Sequence, residues 1–280
     1  MDLAAGTPSW RKIASRVDQI TTIQLHGDDL YLLSFKNASR YQILKTSALN
    51  PDLAHAQVVV PASEAVIQDI GAATDGLYFT TLEGGPHHIY HLDYASNNRH
   101  EISLPANTSG DFVEPDLTQN GILIRLSAWT HAPAVYSWNP SSHKLADTGI
   151  QPPSRLEPAM SDIEVTTTKI PSYDGTLVPL VIFNKKGVPR NGANPLLLTG
   201  YGAYGATTTS PRFIPNWLPW FEKGGVLAMA GVRGGGEYGE EWHLAGKMAT
   251  KPNTWKDLIA CAEYLVAQRY TSPAHLGAEG

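Results

Sequence analysis

Three stretches in the first half of the chain set a short apolar run directly after a polar turn. Gly27-Asp28-Asp29 leads into Leu30-Tyr31-Leu32-Leu33, Asp75-Gly76 into Leu77-Tyr78-Phe79-Thr80, and Asn120-Gly121 into Ile122-Leu123-Ile124-Arg125. Leu30 and Leu77 lie 47 positions apart, and Leu77 and Ile122 lie 45 apart, so the pattern recurs at a nearly constant period. A second echo, Tyr41–Lys45, Ile89–Asp93 and Val135–Asn139, trails each first strand by about a dozen residues and reads as the return strand of a hairpin. A period in the forties with several short strands per unit is the signature of propeller blades, since one four-stranded blade buries its faces only against its neighbours. Accidental spacing within an ordinary β-sandwich is the alternative. Residues 1–160 hold between three and four such units, fewer than a closed ring usually has. The propeller is therefore expected to be incomplete.

Past Pro152-Pro153 and Pro158 the pattern changes. Ile163–Ile170 is β-branched and extended, Asp174-Gly175 is a turn, and Leu177–Phe183 returns, which predicts an antiparallel hairpin. Pro195–Thr199 and Gly225–Ala230 are short and almost wholly apolar, as strands covered on both faces are. A helix follows, with Trp255, Leu258, Ile259, Ala262, Leu265 and Val266 on one expected face, and with Thr254 and Asp257 as a capping box. His275–Gly280 reads as a further strand running into a turn. Residues 161–280 are thus expected to form the N-terminal part of an α/β domain, after propeller blades in residues 1–160.

Composition narrows the functional classes. Twenty-six acidic against 21 basic side chains give a net charge of -5, with no basic track for phosphates, which argues against nucleic acid as a partner. The single cysteine, Cys261, excludes an internal disulfide framework, fits a reducing compartment and reads as a small core residue among Leu258, Ile259, Ala260 and Ala262. Met1–Arg16 lacks the apolar core of a secretory signal, and no stretch approaches the roughly 20 apolar residues that span a bilayer. A soluble, cytoplasmic protein without membrane contact is expected, or a periplasmic one if a signal peptide has been lost upstream. The abrupt opening at Pro8-Ser9-Trp10 hints at a missing upstream part. His87 and His91 are spaced as metal ligands only for a helix, and the strand pattern around Ile89-Tyr90 sets a metal site aside.

Two glycine-rich stretches match a dinucleotide-binding spacing, Gly200-Tyr201-Gly202-Ala203-Tyr204-Gly205 and Gly234-Gly235-Gly236-Glu237-Tyr238-Gly239. Such a loop needs a helix opening at the glycines. Pro211, Pro215 and Pro219 follow the first, and Glu237, Glu240 and Glu241 stand where phosphate would sit in the second, so no nucleotide cofactor is expected.

The same stretches carry a resemblance. Leu198–Tyr204, then Val232-Arg233-Gly234-Gly235-Gly236-Glu237-Tyr238-Gly239-Glu240-Glu241-Trp242-His243, then Lys251–Trp255, resemble the first part of the catalytic domain of the prolyl oligopeptidase family of serine peptidases, and Lys36-Asn37-Ala38-Ser39-Arg40 is similar to part of that family's propeller. The resemblance implies hydrolysis of short peptides, after proline, by a Ser-Asp-His acyl-enzyme mechanism without a cofactor. It implies that the propeller admits substrates by size and that the full-length protein is monomeric. Relatives that cut after basic residues share much of this segment. It also implies that Tyr201 supplies an oxyanion-hole hydroxyl, with the serine on a G-x-S-x-G elbow. No such motif occurs here. If the resemblance holds throughout, Gly280 is its first glycine, and the serine, then the aspartate and histidine, lie beyond it. The chain alone is then expected to be inactive and prone to aggregate. Tyr204, Glu237, Trp242 and His243 are expected to be structural. A non-catalytic, propeller-containing binding protein is the rival reading.

Overall fold

The structure is a computed structural model that describes residues 11–113 and 115–280. Pro8-Ser9-Trp10 lies outside the described residues. Three four-stranded antiparallel sheets come first, each a meander in chain order. The first is β1 (Ile20–His26), β2 (Asp29–Ser34), β3 (Gln42–Ser47) and β4 (Gln57–Val60). The second is β5 (Val66–Ala72), β6 (Gly76–Leu82), β7 (His87–Asp93) and β8 (Arg99–Glu101). The third is β9 (Ser109–Phe112), β10 (Ile122–Ser127), β11 (Ala134–Asn139) and β12 (Lys144–Asp147). The repeated turn-and-strand runs are β2, β6 and β10, and their echoes are β3, β7 and β11.

The packing explains why the repeat is apolar. In β6 all seven residues are buried. Its period-two alternation sends Leu77 and Phe79 into a core shared with Tyr31, Leu33 and Ile43 of the first sheet. It sends Tyr78 the other way, into a core with Ile122, Ile124 and Trp138 of the third. A sheet sandwiched between two others has no polar face to show. That is the packing of propeller blades.

The second unit is a mixed five-stranded sheet in the order β13-β14-β16-β15-β17. Its strands are β13 (Ile163–Pro171), β14 (Leu177–Lys185), β15 (Leu196–Thr199), β16 (Val226–Ala230) and β17 (Leu276–Glu279). β13 and β14 form the expected hairpin, paired from Ile163↔Lys185 to Pro171↔Leu177. β15 runs parallel to both β16 and β17. One face of the sheet, with Val178, Leu180, Ile182, Leu196 and Leu198, packs on the helix Pro252–Ala267 through Cys261 and Leu265. The other, with Val181, Phe183, Leu227 and Met229, packs on Ile214 and Phe221 and also on Trp129, which follows β10. Trp129 meets Phe183 edge-on with ring centroids 4.8 Å apart, so an aromatic from the third blade is part of the α/β core.

The helix departs from the sequence reading in two respects. Thr254 and Asp257 do not cap it, because it opens at Pro252 with Lys251 at the N-cap. Trp255 and Ile259 are 58% and 55% exposed, whereas Thr254, Asp257, Cys261 and Leu265 face inward. The cause is Arg233. Asp257 accepts from the Arg233 backbone N–H at 2.9 Å, from Nε at 2.9 Å and from Nη2 at 2.6 Å, and Thr254 Oγ1 donates to the Arg233 carbonyl at 2.6 Å. A buried guanidinium needs these partners, and they turn a polar stripe of the helix toward the core. No helix among the described residues is long and apolar enough to cross a membrane.

Candidate active site

The parallel strands β15, β16 and β17 end on the same edge of the sheet, where open α/β sheets place their ligands. Beyond Thr199 the ladder continues for one bond, Gly200 N–H donating to Glu279 O at 3.0 Å, and then the chain turns at Tyr201-Gly202. Gly202 has φ +57°, and a Cβ there would stand 2.8 Å from Val232 Cγ2 and 2.9 Å from Arg233 O. Glycine is therefore required, and the turn it allows leaves Tyr201 47% exposed over the strand ends. The side chain lines an open cleft of about 230 Å³ with Thr208, Arg212, Trp217, Met229, Glu279 and Gly280.

The two glycine-rich stretches are stacked on one another. Gly205 N–H donates to Gly234 O at 3.1 Å, Gly234 N–H donates to Trp242 O at 2.9 Å, and Lys251 Nζ donates to Gly202 O at 2.6 Å. His243 Nδ1 lies 3.0 Å from the same Gly234 oxygen, and Trp242 is buried against Tyr238 with centroids 4.9 Å apart. Trp242 and His243 thus fix the path of the backbone, as the sequence suggests. Tyr204 does not, being 87% exposed at φ +57°.

Glu237 is fully buried. Its Oε1 accepts from the Thr208 N–H at 2.9 Å and lies 3.3 Å from Thr208 Oγ1, and burial pushes its pKa up to about 7. It holds the wall of the cleft from behind. The segment 205–212 is also tied to the propeller: Ser210 Oγ is 3.2 Å from His87 Nε2, and His87 Nδ1 is 2.6 Å from Asp111 Oδ1. This Ser-His-Asp contact lies apart from the Tyr201 cleft, lining none of it. The other histidine singled out in sequence, His91, stands 3.0 Å from Asp75 Oδ2 and 3.2 Å from His100 Nε2. Among the described residues no three His, Cys, Asp or Glu side chains converge as metal ligands.

Models of known families match both halves. The prolyl oligopeptidase N-terminal β-propeller domain matches residues 1–147, and the prolyl oligopeptidase family matches residues 211–280. The chain belongs to the prolyl oligopeptidase family. It is 29% identical over 260 residues to the prolyl endopeptidase of Elizabethkingia miricola, covering 92% of this chain and 36% of that protein. It is 31% identical over 253 residues to Protease 2 of Moraxella lacunata, covering 90% of this chain and 36% of that protein. Among solved structures, one of two prolyl endopeptidases described for inter-domain dynamics superposes with a TM-score of 0.83 at 26% identity, over 92% of this chain and 38% of that one. Oligopeptidase B of Leishmania major superposes at 0.82 and 25% identity, again over 92% and 38%. The chain spans a little over a third of the length of the curated relatives it matches.

Within this family frame, the lining residues Thr208, Arg212, Trp217 and Met229 went unrecognised in sequence. They come from the connection after β15 and from β16, and no spacing links them to Tyr201.

Proposed function

We propose that this chain supplies one wall of the catalytic centre of a serine peptidase that hydrolyses short peptides after proline. In this reading residues 1–160 are propeller blades and residues 161–280 begin the α/β-hydrolase unit. One observation carries it: β17 delivers Glu279 and Gly280 into the cleft that Tyr201 lines. A nucleophile elbow is a sharp turn at the end of a strand, so by the resemblance a serine two residues past Gly280 would follow β17 at the cleft that Tyr201 lines. That serine attacks the peptide carbonyl. Histidine, held by aspartate, takes its proton, and Tyr201 donates a hydrogen bond to the oxyanion. A hydroxyl is suited to this because it reorients toward charge that develops only in the transition state. The serine, aspartate and histidine follow Gly280 in this reading, so residues 1–280 alone do not turn over substrate.

The coding frame past Gly280 tests the reading directly. Serine at the second position, with fluorophosphonate labelling of the longer product and none of residues 1–280, is the expected result. A frame without a serine elbow, or a longer product that resists labelling, overturns it in favour of a non-catalytic binding protein.

A further inference from the structure

Among the described residues Arg212 is the one cation lining the Tyr201 cleft. No carboxylate oxygen among the described residues lies within 4.0 Å of its guanidinium, although Glu279 lines the same cleft. Its two hydrogen bonds go to neutral acceptors: Nη1 donates to Thr208 O at 3.2 Å and Nη2 to Met229 Sδ at 3.5 Å. A guanidinium has five N–H donors, so most of the fork is unspent. The residue as a whole is exposed, so the free donors are open to a ligand; partial desolvation lowers its pKa from the ordinary value, yet arginine stays charged at any physiological pH.

The loop behind it is held by several contacts. Thr208 is gripped by buried Glu237 and donates its hydroxyl to Ala230 O at 3.1 Å, Ser210 is gripped by His87, and the guanidinium lies over Trp129 at 5.7 Å from the ring centre. Both sides of the α/β–propeller junction thus fix the loop that carries Arg212. A held cation with free donors in a substrate cleft is the arrangement that recognises a carboxylate.

We propose that Arg212 binds a substrate carboxylate, either the free carboxyl terminus of a short peptide or an Asp or Glu side chain close to the scissile bond. This rests on the peptide reading of the cleft. It supplies a chemical reason for short substrates, because a free carboxyl terminus reaches a residue inside the cleft only when the cut falls near the end of the peptide.

Binding needs no nucleophile, so the test uses the longer protein with its elbow serine replaced by alanine, which keeps the whole cleft in place and the amide probes uncut. The probes are N-acetyl-Ala-Pro with a free carboxylate, its C-terminal amide, and N-acetyl-Ala-Asp amide, titrated by calorimetry against that protein and its Arg212→Gln and Arg212→Lys forms. The expected result is that the free acid binds about tenfold more tightly than the amide, that Arg212→Gln abolishes this preference, and that Arg212→Lys retains part of it. Equal affinity for the aspartyl probe assigns the site to any carboxylate, and weaker affinity assigns it to the chain terminus. Should Arg212→Gln fail to fold, loss of the acid's advantage with added salt in the protein that keeps Arg212 carries the test. Acid and amide binding alike, neither binding, or a preference that survives in Arg212→Gln overturns the proposal. Failure of the peptidase reading is seen separately, in the absence of fluorophosphonate labelling of the longer product.

Discussion

The backbone N–H of Glu240 donates to the carbonyl oxygen of Ser39 at 2.8 Å. These residues sit 201 positions apart, in two of the segments that resemble the prolyl oligopeptidases, and the bond joins the first blade to the glycine-rich turn. Around it Gly84 N–H donates to Glu237 O at 3.3 Å, and the Tyr238 ring lies under Arg40 and Lys169 at 5.7 and 5.6 Å. The second half of the Arg-Gly-Gly-Gly-Glu-Tyr-Gly run is thus a peg set into the propeller, while its first half shapes the turn beneath Tyr201.

Gly239 is where that peg comes closest. It has φ +83°, and a Cβ would stand 3.3 Å from Arg40 Cα and closer still to Ser39 O. Gly239→Ala combines left-handed strain with a backbone clash, and a loss on the order of 1–3 kcal/mol is expected. Urea unfolding reads the loss, and limited proteolysis should show earlier cutting between the two units. Unchanged unfolding and cutting would mean that the contact contributes nothing.

How far the sequence revealed this arrangement depended on periodicity. β2 and β6 were legible because they are buried almost throughout and therefore apolar, β15 and β16 for the same reason, and β10 because it repeats the same turn and buries alternate residues, Ile122, Ile124 and Leu126. The inward face of the helix Pro252–Ala267 was not, since Thr254 and Asp257 face the core to serve Arg233, and hydrophobic spacing cannot register a polar partner. Tyr201 was legible only through the glycines beside it. Arg212 lies in a stretch without regular strand or helix, and its place in the cleft is set by Thr208, Ser210 and Glu237, contacts that leave no mark on spacing.

Asp257 is fully buried and has Ser172 Oγ at 2.6 Å besides Arg233. Asp257→Ala leaves a buried guanidinium facing Asp174 alone, and a loss of about 3–5 kcal/mol is expected. Chemical denaturation measures it, and a loss under about 1 kcal/mol would show that the cluster is dispensable. The hydrogen bonds from Arg233 hold the Asp174 pKa down to about 2 from the usual 3.8. A carboxylate whose pKa is depressed on folding stabilises above its unfolded value and loses that contribution as pH falls through the folded one. An acid titration of the wild type should therefore steepen between about pH 4 and pH 2, and Asp174→Asn should flatten that limb.

Glu237 has the opposite sign. Burial raises its pKa from 4.5 to about 7, so the folded state binds the proton more tightly than the unfolded chain does. The resulting stabilisation is complete below about pH 4.5 and is lost as pH rises through about 7. Melting temperature should consequently fall across that window in the wild type, after allowance for other groups. Glu237→Gln keeps an acceptor for Thr208 and removes the titration, so its melting curve should be flatter and should lie several degrees above the wild type at pH 8. Parallel pH profiles for the two proteins would exclude Glu237 as the titrating group.

Tyr201 carries the catalytic prediction. Nearly half of its surface is exposed to the cleft, so Tyr201→Phe removes the hydroxyl without opening a cavity and should leave the melting temperature within a degree or so. If the hydroxyl meets an oxyanion only in the transition state, the longer, complete protein carrying Tyr201→Phe should lose about 10²- to 10³-fold in kcat with KM little changed. Its serine should still react with fluorophosphonate, more slowly, because the nucleophile and its base are intact. A rise in KM at unchanged kcat would assign Tyr201 to ground-state binding, and wild-type values for both would remove it from the site altogether.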